Sequence, residues 1–181
     1  MIVVESEEVV HEDLRVEENV IKGEFDDIES HKKAAELGDA SAQYTLGKAY
    51  HFGERVVQND ALAFQWYELS ANQGNANAQN SLGACYGNAI GVPQDYKKAF
   101  QWYELSAEAG NSVAQNNLAR CYEFGKGVHR NYKKALHWYK LAASQENKNA
   151  TANLARLMRK IFWLIFIIAW AIFVLVFGFF R

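Results

Sequence analysis

Histidine and cysteine are the residues of this sequence best suited to bind a metal or to act as nucleophile and base, provided that their spacing brings them together. No two histidines have the H-x-x-x-H spacing that places two imidazoles on one helix face. The two cysteines, Cys85 and Cys121, form no C-x-x-C motif. The sequence therefore predicts neither a metal site nor a cofactor. The scattered histidines are His11, His31, His51, His129 and His137.

Motifs for phosphate binding and covalent catalysis are also missing from the sequence. There is no G-x-x-x-x-G-K loop, no nucleophile elbow and no paired-carboxylate signal. Gly125-Lys126-Gly127 has no strand before it, so it is expected to be a loop between helices rather than a phosphate cradle. We therefore predict that the chain is not an enzyme, has no catalytic residues and takes no small-molecule substrate.

A repeat of 36 residues accounts for the spacing of the two cysteines. The octapeptide FQWYELSA occurs at 64–71 and at 100–107, and the related LHWYKLAA follows at 136–143. A helical hairpin of this length cannot bury its own apolar face, so it must stack on others of its kind. Residues that recur in every copy, such as Trp66, Tyr67 and Leu69, are therefore expected to pack within and between hairpins. Cys85 and Cys121 are expected to be reduced, buried core residues.

Each repeat is predicted to contain two helices with side-chain caps. The first helix begins after Asp39, Asn75 or Asn111, and the second after Asn59, Asp95 or Asn131. Glycine ends the second helices, because it adopts left-handed backbone angles without strain. The predicted segments are an acidic, flexible stretch (1–24), a degenerate half-repeat (25–38), three repeats (39–74, 75–110 and 111–146), a capping half-repeat helix (147–160) and a transmembrane helix (161–180).

The stretch AQNSLGACYGNAIGVPQDYKKAFQWYELSAEAG resembles a Sel1-like repeat, a variant of the tetratricopeptide family. The resemblance covers about 39–158. It implies an all-α fold, a short right-handed α/α superhelical solenoid, that serves as a protein-binding scaffold rather than an enzyme. The departures are in the loops and one helix: Glu54-Arg55 and Ala89 replace expected loop glycines, and Ala119 replaces a helix glycine.

First-helix positions that differ between repeats are the candidates for partner binding. In tetratricopeptide-like stacks the first helices line the concave surface, and here the differing positions form a polar strip with Lys48 and Arg120 as its cations. Such a strip suits an extended acidic or amide-rich protein segment, and ordinary solvated surface is the alternative. The candidate partner-binding residues are Tyr44, Lys48, His51, Asn80, Asn116, Asn117 and Arg120.

The apolar run Ile161–Phe180 is about 30 Å long as a helix, which matches the hydrocarbon core of a bilayer. Arg156, Arg159 and Lys160 precede it, so the positive-inside tendency places the repeats on the cytoplasmic side. We predict a single-pass, tail-anchored protein of the bacterial inner membrane or the endoplasmic reticulum. Because no linker separates the capping helix from this run, the capping helix is expected to lead directly, or across a slight kink, into the membrane helix.

Charge divides the chain into an acidic beginning and a basic remainder. Residues 1–30 have a net charge of −9, and the remaining residues have a net charge of +7. The acidic segment is expected either to dock on the repeats or to attract a basic partner, while nucleic-acid binding is not expected. We predict a membrane-anchored adaptor for protein partners. The alternative is an immunity protein that neutralises a secreted toxin at the membrane.

Overall fold

The computed structural model describes residues 28–177, and within them the chain has eight helical segments and no strand. The predicted all-α fold is therefore confirmed. The acidic segment 1–24 and the residues after 177 lie outside the described part of the chain. The helices are α1 (28–36), α2 (Ala40–Phe52), α3 (Asp60–Asn72), α4 (Ala76–Asn88), α5 (Tyr96–Glu108), α6 (Ser112–Phe124), α7 (Tyr132–Ala143) and α8 (Lys148–Phe177).

The chain divides into two compact units, unit 1 (Met1–Gln94) and unit 2 (Asp95–Arg181). In unit 1, α3 packs on both α2 and α4; in unit 2, α6 packs on both α5 and α7, and α7 also packs on α8. Within each unit, helices that follow each other along the chain are therefore neighbours in space, as the 36-residue period predicts.

Side-chain caps confirm the predicted helix starts. Asp39 accepts a hydrogen bond from the backbone N–H of Ala42 at 2.6 Å, and Asn75 accepts one from Ala78 at 3.1 Å. Each bond satisfies one of the backbone donors that the first turn of a helix leaves without an intrahelical partner. Four further helices begin in the same way, after Asn59, Asp95, Asn111 and Asn131.

Left-handed backbone angles recur at fixed positions of the repeat. Among the described residues, three that are not glycine have positive φ: Arg55 (+62°), Ala89 (+60°) and Glu146 (+62°). Each lies 36 residues from a glycine that adopts the same conformation. The repeat therefore sets the backbone angle, and these three residues adopt it with some strain. Their glycine counterparts in the neighbouring repeats are Gly91, Gly53 with Gly125, and Gly110.

A buried glutamine ties the first helix of each repeat to the helix before it. The Nε2 group of Gln43 donates to the backbone oxygen of Ala35 at 3.1 Å in unit 1. Gln115 donates to the backbone oxygen of Ala107 at 3.2 Å in unit 2. These carbonyls belong to the last turns of their helices, where each also accepts a hydrogen bond from the backbone N–H of the glycine that follows, Gly38 or Gly110, so the glutamine adds a second donor. The glutamine thus serves as a side-chain cap that recurs with the repeat.

The three repeat tryptophans, Trp66, Trp102 and Trp138, are half-buried rather than fully buried. Trp66 lies against a buried cluster formed by Ala35, Ala42 and Leu46. The prediction that Leu69 packs within and between hairpins is wrong, because the side chain of Leu69 is exposed. Two positions along a helix correspond to about 200°, so Leu69 lies on the face opposite the buried Tyr67.

Both cysteines are free thiols and are buried, as predicted. Burial raises the pKa of Cys85 to about 12 and that of Cys121 to about 11. The thiolate is the form that attacks electrophiles and binds metals, so these protonated thiols are suited to packing rather than to chemistry.

The longest helix, α8, runs from Lys148 to Phe177 without interruption, which confirms the predicted continuity with the apolar run. Its first part belongs to the repeat body, because Ala150 and Leu157 are fully buried. From Phe162 to Leu175 its side chains are exposed. By length and composition alone, this helix is able to cross a membrane.

Candidate partner-binding groove

Unit 2 has an open groove of about 510 Å³ between the side chains of α6 and the first three turns of α8. Both are first helices of their repeats, because α8 begins where a fourth repeat would begin. A volume of this size lies in the range typical of binding sites. We refer to it as the α6–α8 groove; its lining residues are Val113, Asn116, Asn117, Arg120, Phe124, Asn149, Ala152, Asn153 and Arg156.

Four asparagine amides give this groove its polar character. One pair spans the two helices, since Nδ2 of Asn153 donates a hydrogen bond to Oδ1 of the buried Asn116 at 3.0 Å. This bond joins α6 and α8 at the groove, and Asn117 and Asn149 are the other two asparagines that line it. An amide side chain both donates and accepts, so it can pair with the backbone of an extended peptide.

Two arginines lie at the α6–α8 groove, and they differ in how they are held. Arg120 is exposed. The guanidinium of Arg156 donates two hydrogen bonds to the carboxylate of Glu123, at 2.7 and 2.8 Å. Arg156 also lies over the ring of Phe124, 5.6 Å from its centroid. Its side chain is nevertheless 42% exposed, and it lines the groove.

Glu123 is a buried carboxylate held by two other helices. Besides Arg156 on α8, the hydroxyl of Tyr139 on α7 donates to it at 2.8 Å. Burial alone would raise the pKa of Glu123, but the hydrogen bonds from Arg156 and Tyr139 outweigh burial and lower that pKa. The carboxylate is therefore ionised, and the three residues connect α6, α7 and α8. We call them the Glu123 cluster.

In unit 1, Lys48 lines a separate cavity of about 420 Å³. The other cavity residues include His31 and Arg55, which add basic groups, and Glu54, which adds an acidic one. The charges at this cavity are therefore mixed, in contrast to those lining the α6–α8 groove.

The remaining candidates of unit 1 have local partners. Tyr44 is partly buried, with its ring centroid 6.0 Å from that of Tyr67. His51 pairs with Asp60, at 2.9 Å between Nδ1 and Oδ1. Asn80 is half-buried on α4, and it lines neither of the two cavities described above.

Of the seven candidates, Asn116, Asn117 and Arg120 thus come together in one groove. Asn153 and Arg156 complete the groove and were not among the candidates predicted from the sequence. They lie 36 residues after Asn117 and Arg120, so the repeat period alone points to both of them.

Among the described residues, no group of three or more histidine, cysteine, aspartate or glutamate side chains is arranged to hold a metal ion. The arrangement at the α6–α8 groove is instead one of neutral amides and cations. Such groups can bind carboxylates and peptide amides without chemical change.

The Sel1 repeat profile matches residues 40–75, 76–111 and 112–147, which is more than half of the chain. The chain therefore belongs to the Sel1 repeat family, whose members are protein-interaction scaffolds and typically not catalytic. No curated protein matches the chain.

Solved structures show the same fold. A Sel1 repeat protein from Oxalobacter formigenes is 40% identical, with a TM-score of 0.65; the match covers 72% of this chain and 98% of that one. A protective antigen of uropathogenic Escherichia coli with an SLR fold is 37% identical, with a TM-score of 0.65, over 68% of this chain and 26% of that chain. Cysteine-rich protein B of Helicobacter pylori is 25% identical, with a TM-score of 0.57, over 74% and 96%.

Proposed function

We propose that this chain is a membrane-anchored scaffold that binds an extended acidic or amide-rich segment of a protein partner in the α6–α8 groove. The supporting observation is the lining of that groove. Of the nine residues that line it in the described part of unit 2, four are asparagine, two are arginine and none is acidic.

Extended acidic segments fit this chemistry better than other ligands do. Arginine guanidinium groups bind carboxylates through two parallel hydrogen bonds, and clusters of arginine recognise acidic motifs. Arg120 is the group best placed for this role, because Arg156 already binds Glu123. Asn117 and Asn149 then pair with the backbone of the segment, so that length and charge are both recognised.

The membrane part of the proposal rests on α8. Its apolar run begins directly after Lys160, and three cations lie just before that run: Arg156, Arg159 and Lys160. Cations concentrate on the cytoplasmic flank of membrane helices. We therefore place the groove on the cytoplasmic side, close to the bilayer surface.

Binding of labelled peptides to the full-length chain in lipid nanodiscs tests the groove. Peptides of about eight residues span about 26 Å when extended, and three sets would be rich in glutamate, in asparagine and glutamine, or in lysine. Fluorescence anisotropy should show binding of the first two sets and none of the third. Added salt should weaken binding of the acidic set most, because salt screens exposed charges.

A substitution with a matched control links this binding to the groove. Arg120→Ala should weaken binding of acidic peptides about tenfold, as expected for loss of hydrogen bonds to a charged group. Lys140→Ala removes an exposed cation of the same unit that does not line the groove, and it should leave binding unchanged. Equal binding of acidic and basic peptides, or equal effects of the two substitutions, would refute the groove assignment.

A further inference from the structure

The cations of unit 2 are concentrated at one end of its helices. The described residues of unit 2 include twelve lysines and arginines but only five aspartates and glutamates, which gives a net charge of +7. Six exposed cations lie in the loop before α7, in its first turn, and on α8 just before the apolar stretch. We call these six the basic cluster: Lys126, Arg130, Lys133, Lys134, Arg159 and Lys160.

Ring contacts show that these segments lie together. Two cations lie over the ring of Tyr132, the first residue of α7. The guanidinium of Arg130 is 5.6 Å from the ring centroid, and the ammonium of Lys160 on α8 is 5.3 Å from it. Lys126 lies 4.9 Å from the ring centroid of Tyr96, the first residue of α5. Tyr96 and Tyr132 occupy the same repeat position, so both second helices present an aromatic ring and a cation at this end.

The register of α8 places this end at the start of the apolar stretch. The 12 residues of α7 are about 18 Å long, and α8 runs back over the same length from Lys148 to Lys160. Lys160, which contacts Tyr132, is the last residue of α8 before the apolar run, so the repeat body ends there. Ile161, the next residue, begins the apolar run. The basic cluster is therefore level with the boundary between the polar and apolar parts of α8.

Acidic side chains of unit 2 do not offset this charge. Glu104, Glu108 and Glu146 lie in the second half of α5 or after α7, which is the opposite end of the hairpins. Glu123 is buried and already paired with Arg156. Asp95 caps α5 through hydrogen bonds to backbone N–H groups.

We infer that the basic cluster is a binding surface for anionic lipid headgroups, which holds unit 2 against the membrane. This inference rests on the proposed membrane anchor and adds a second contact, made by the repeat body itself. Each basic residue near an anionic bilayer surface strengthens attachment about fivefold, and tyrosine favours the same interfacial depth. The membrane helix and the cluster would together fix the orientation of the α6–α8 groove above the bilayer.

Lysine acetylation of the full-length chain, read by mass spectrometry, tests this surface directly. The chain would be placed in nanodiscs of phosphatidylcholine, or of phosphatidylcholine with about one-third phosphatidylglycerol. In the anionic nanodiscs the reactivity of Lys126, Lys133, Lys134 and Lys160 should fall up to about fivefold, and high salt should restore it. Lys140 and Lys148, at the other end of the hairpins, should react equally in both lipids.

A variant with a matched control separates lipid binding from other causes of protection. Arg130→Gln/Lys133→Gln/Lys134→Gln should remove most of the lipid-dependent protection of Lys126. Lys32→Gln/Lys33→Gln/Lys48→Gln neutralises three cations of unit 1 and should leave that protection intact.

The outcomes distinguish this inference from the anchor on which it rests. Failure of the chain to co-elute with nanodiscs would refute the anchor and the lipid surface together. Co-elution with equal lysine reactivity in both lipids would refute the lipid surface alone. Salt-sensitive protection that is the same in both lipids would assign the cluster to an acidic protein segment, and would also overturn the inference.

Discussion

The last turn of the first helix differs between the first and third repeats, although the backbone there is the same. His51 in unit 1 pairs with Asp60 of its own hairpin, and both side chains are partly exposed. Glu123 occupies the equivalent position in unit 2, where it is buried and bound to Tyr139 and Arg156. The pair in unit 1 links two helices of one hairpin, whereas the Glu123 cluster also binds α8.

This difference shows which unit is specialised. The described residues of unit 1 have a net charge of −2, and those of unit 2 have a net charge of +7. Unit 2 also contains the apolar helix, the α6–α8 groove and the basic cluster. Repeats that share one fold thus differ at the few positions that contact the next helix or the surroundings. Substitutions at those positions should affect the two units differently.

Loss of the buried leucine of α8 should have the largest effect on unit 2. Leu157 is 0% exposed, so Leu157→Ala leaves a cavity and should lower the free energy of unfolding of unit 2 by about 2–5 kcal/mol. Amide exchange of α6 and α7 in the full-length chain measures this loss, while α2 and α3 of unit 1 report any general effect. Met158→Ala, at the exposed neighbouring residue, should change little.

Removing the arginine of the Glu123 cluster should have the next largest effect. Arg156→Met leaves the carboxylate of Glu123 buried with only Tyr139 as a partner, and should destabilise unit 2 by about 3 kcal/mol. The matching change in unit 1, His51→Phe, should cost less than about 1 kcal/mol, because exposed pairs contribute little. Equal losses in the two units would show that burial does not distinguish the two sites.

Acid should weaken unit 2 through the same cluster. The pKa of Glu123 is lower in the folded chain than its ordinary value of 4.5. The ion pair therefore stabilises unit 2 fully at a pH above 4.5, and this stability is lost as the pH falls through the lowered pKa. Unfolding of unit 2 at a series of acidic pH values measures the effect. Glu123→Gln removes the titrating group and should flatten the profile; an unchanged slope in that variant would contradict the assignment.

The smallest effects on stability are expected at a loop position with left-handed backbone angles, where different repeats have different residues. Ala89 has φ of +60° and Gly125, at the equivalent position, has φ of +72°. Ala89→Gly should relieve strain and stabilise unit 1 by less than about 1 kcal/mol, and Gly125→Ala should destabilise unit 2 by about 1 kcal/mol. Thermal unfolding of the two variants should therefore shift in opposite directions; shifts of the same sign would mean that the positions are not equivalent.

The sequence predicts the helices of this fold well, because caps, glycines and the 36-residue period all agree. It predicts side-chain burial less well. Leu69 recurs in the repeat like a core residue, yet recurrence reflects the shared backbone and does not by itself show that a side chain is buried. The buried Gln43 bond to Ala35 recurs in the same way, and its role is visible once the helices are placed.

For a similar reason, only part of the candidate site could be predicted from the sequence. Comparing repeats finds variable positions such as Asn117 and Arg120, but not which of them share a groove. The groove forms because α8 lies beside α6, and α8 was predicted only to cap the end of the repeats. Arg156 has the right position in the repeat, yet its bonds to Glu123 depend on Tyr139 and on burial, which the sequence does not specify.

Hydrogen–deuterium exchange across residues 155–161 tests most directly whether unit 2 and the apolar helix form one continuous piece. The full-length chain in lipid nanodiscs would be compared at these amides with α7 and with the loop between α6 and α7. Our account predicts that residues 155–161 exchange as slowly as α7, because α8 is unbroken there and Leu157 is buried. Exchange as fast as in the loop would reveal a hinge, and would contradict the proposal that the membrane helix holds the groove in a fixed position.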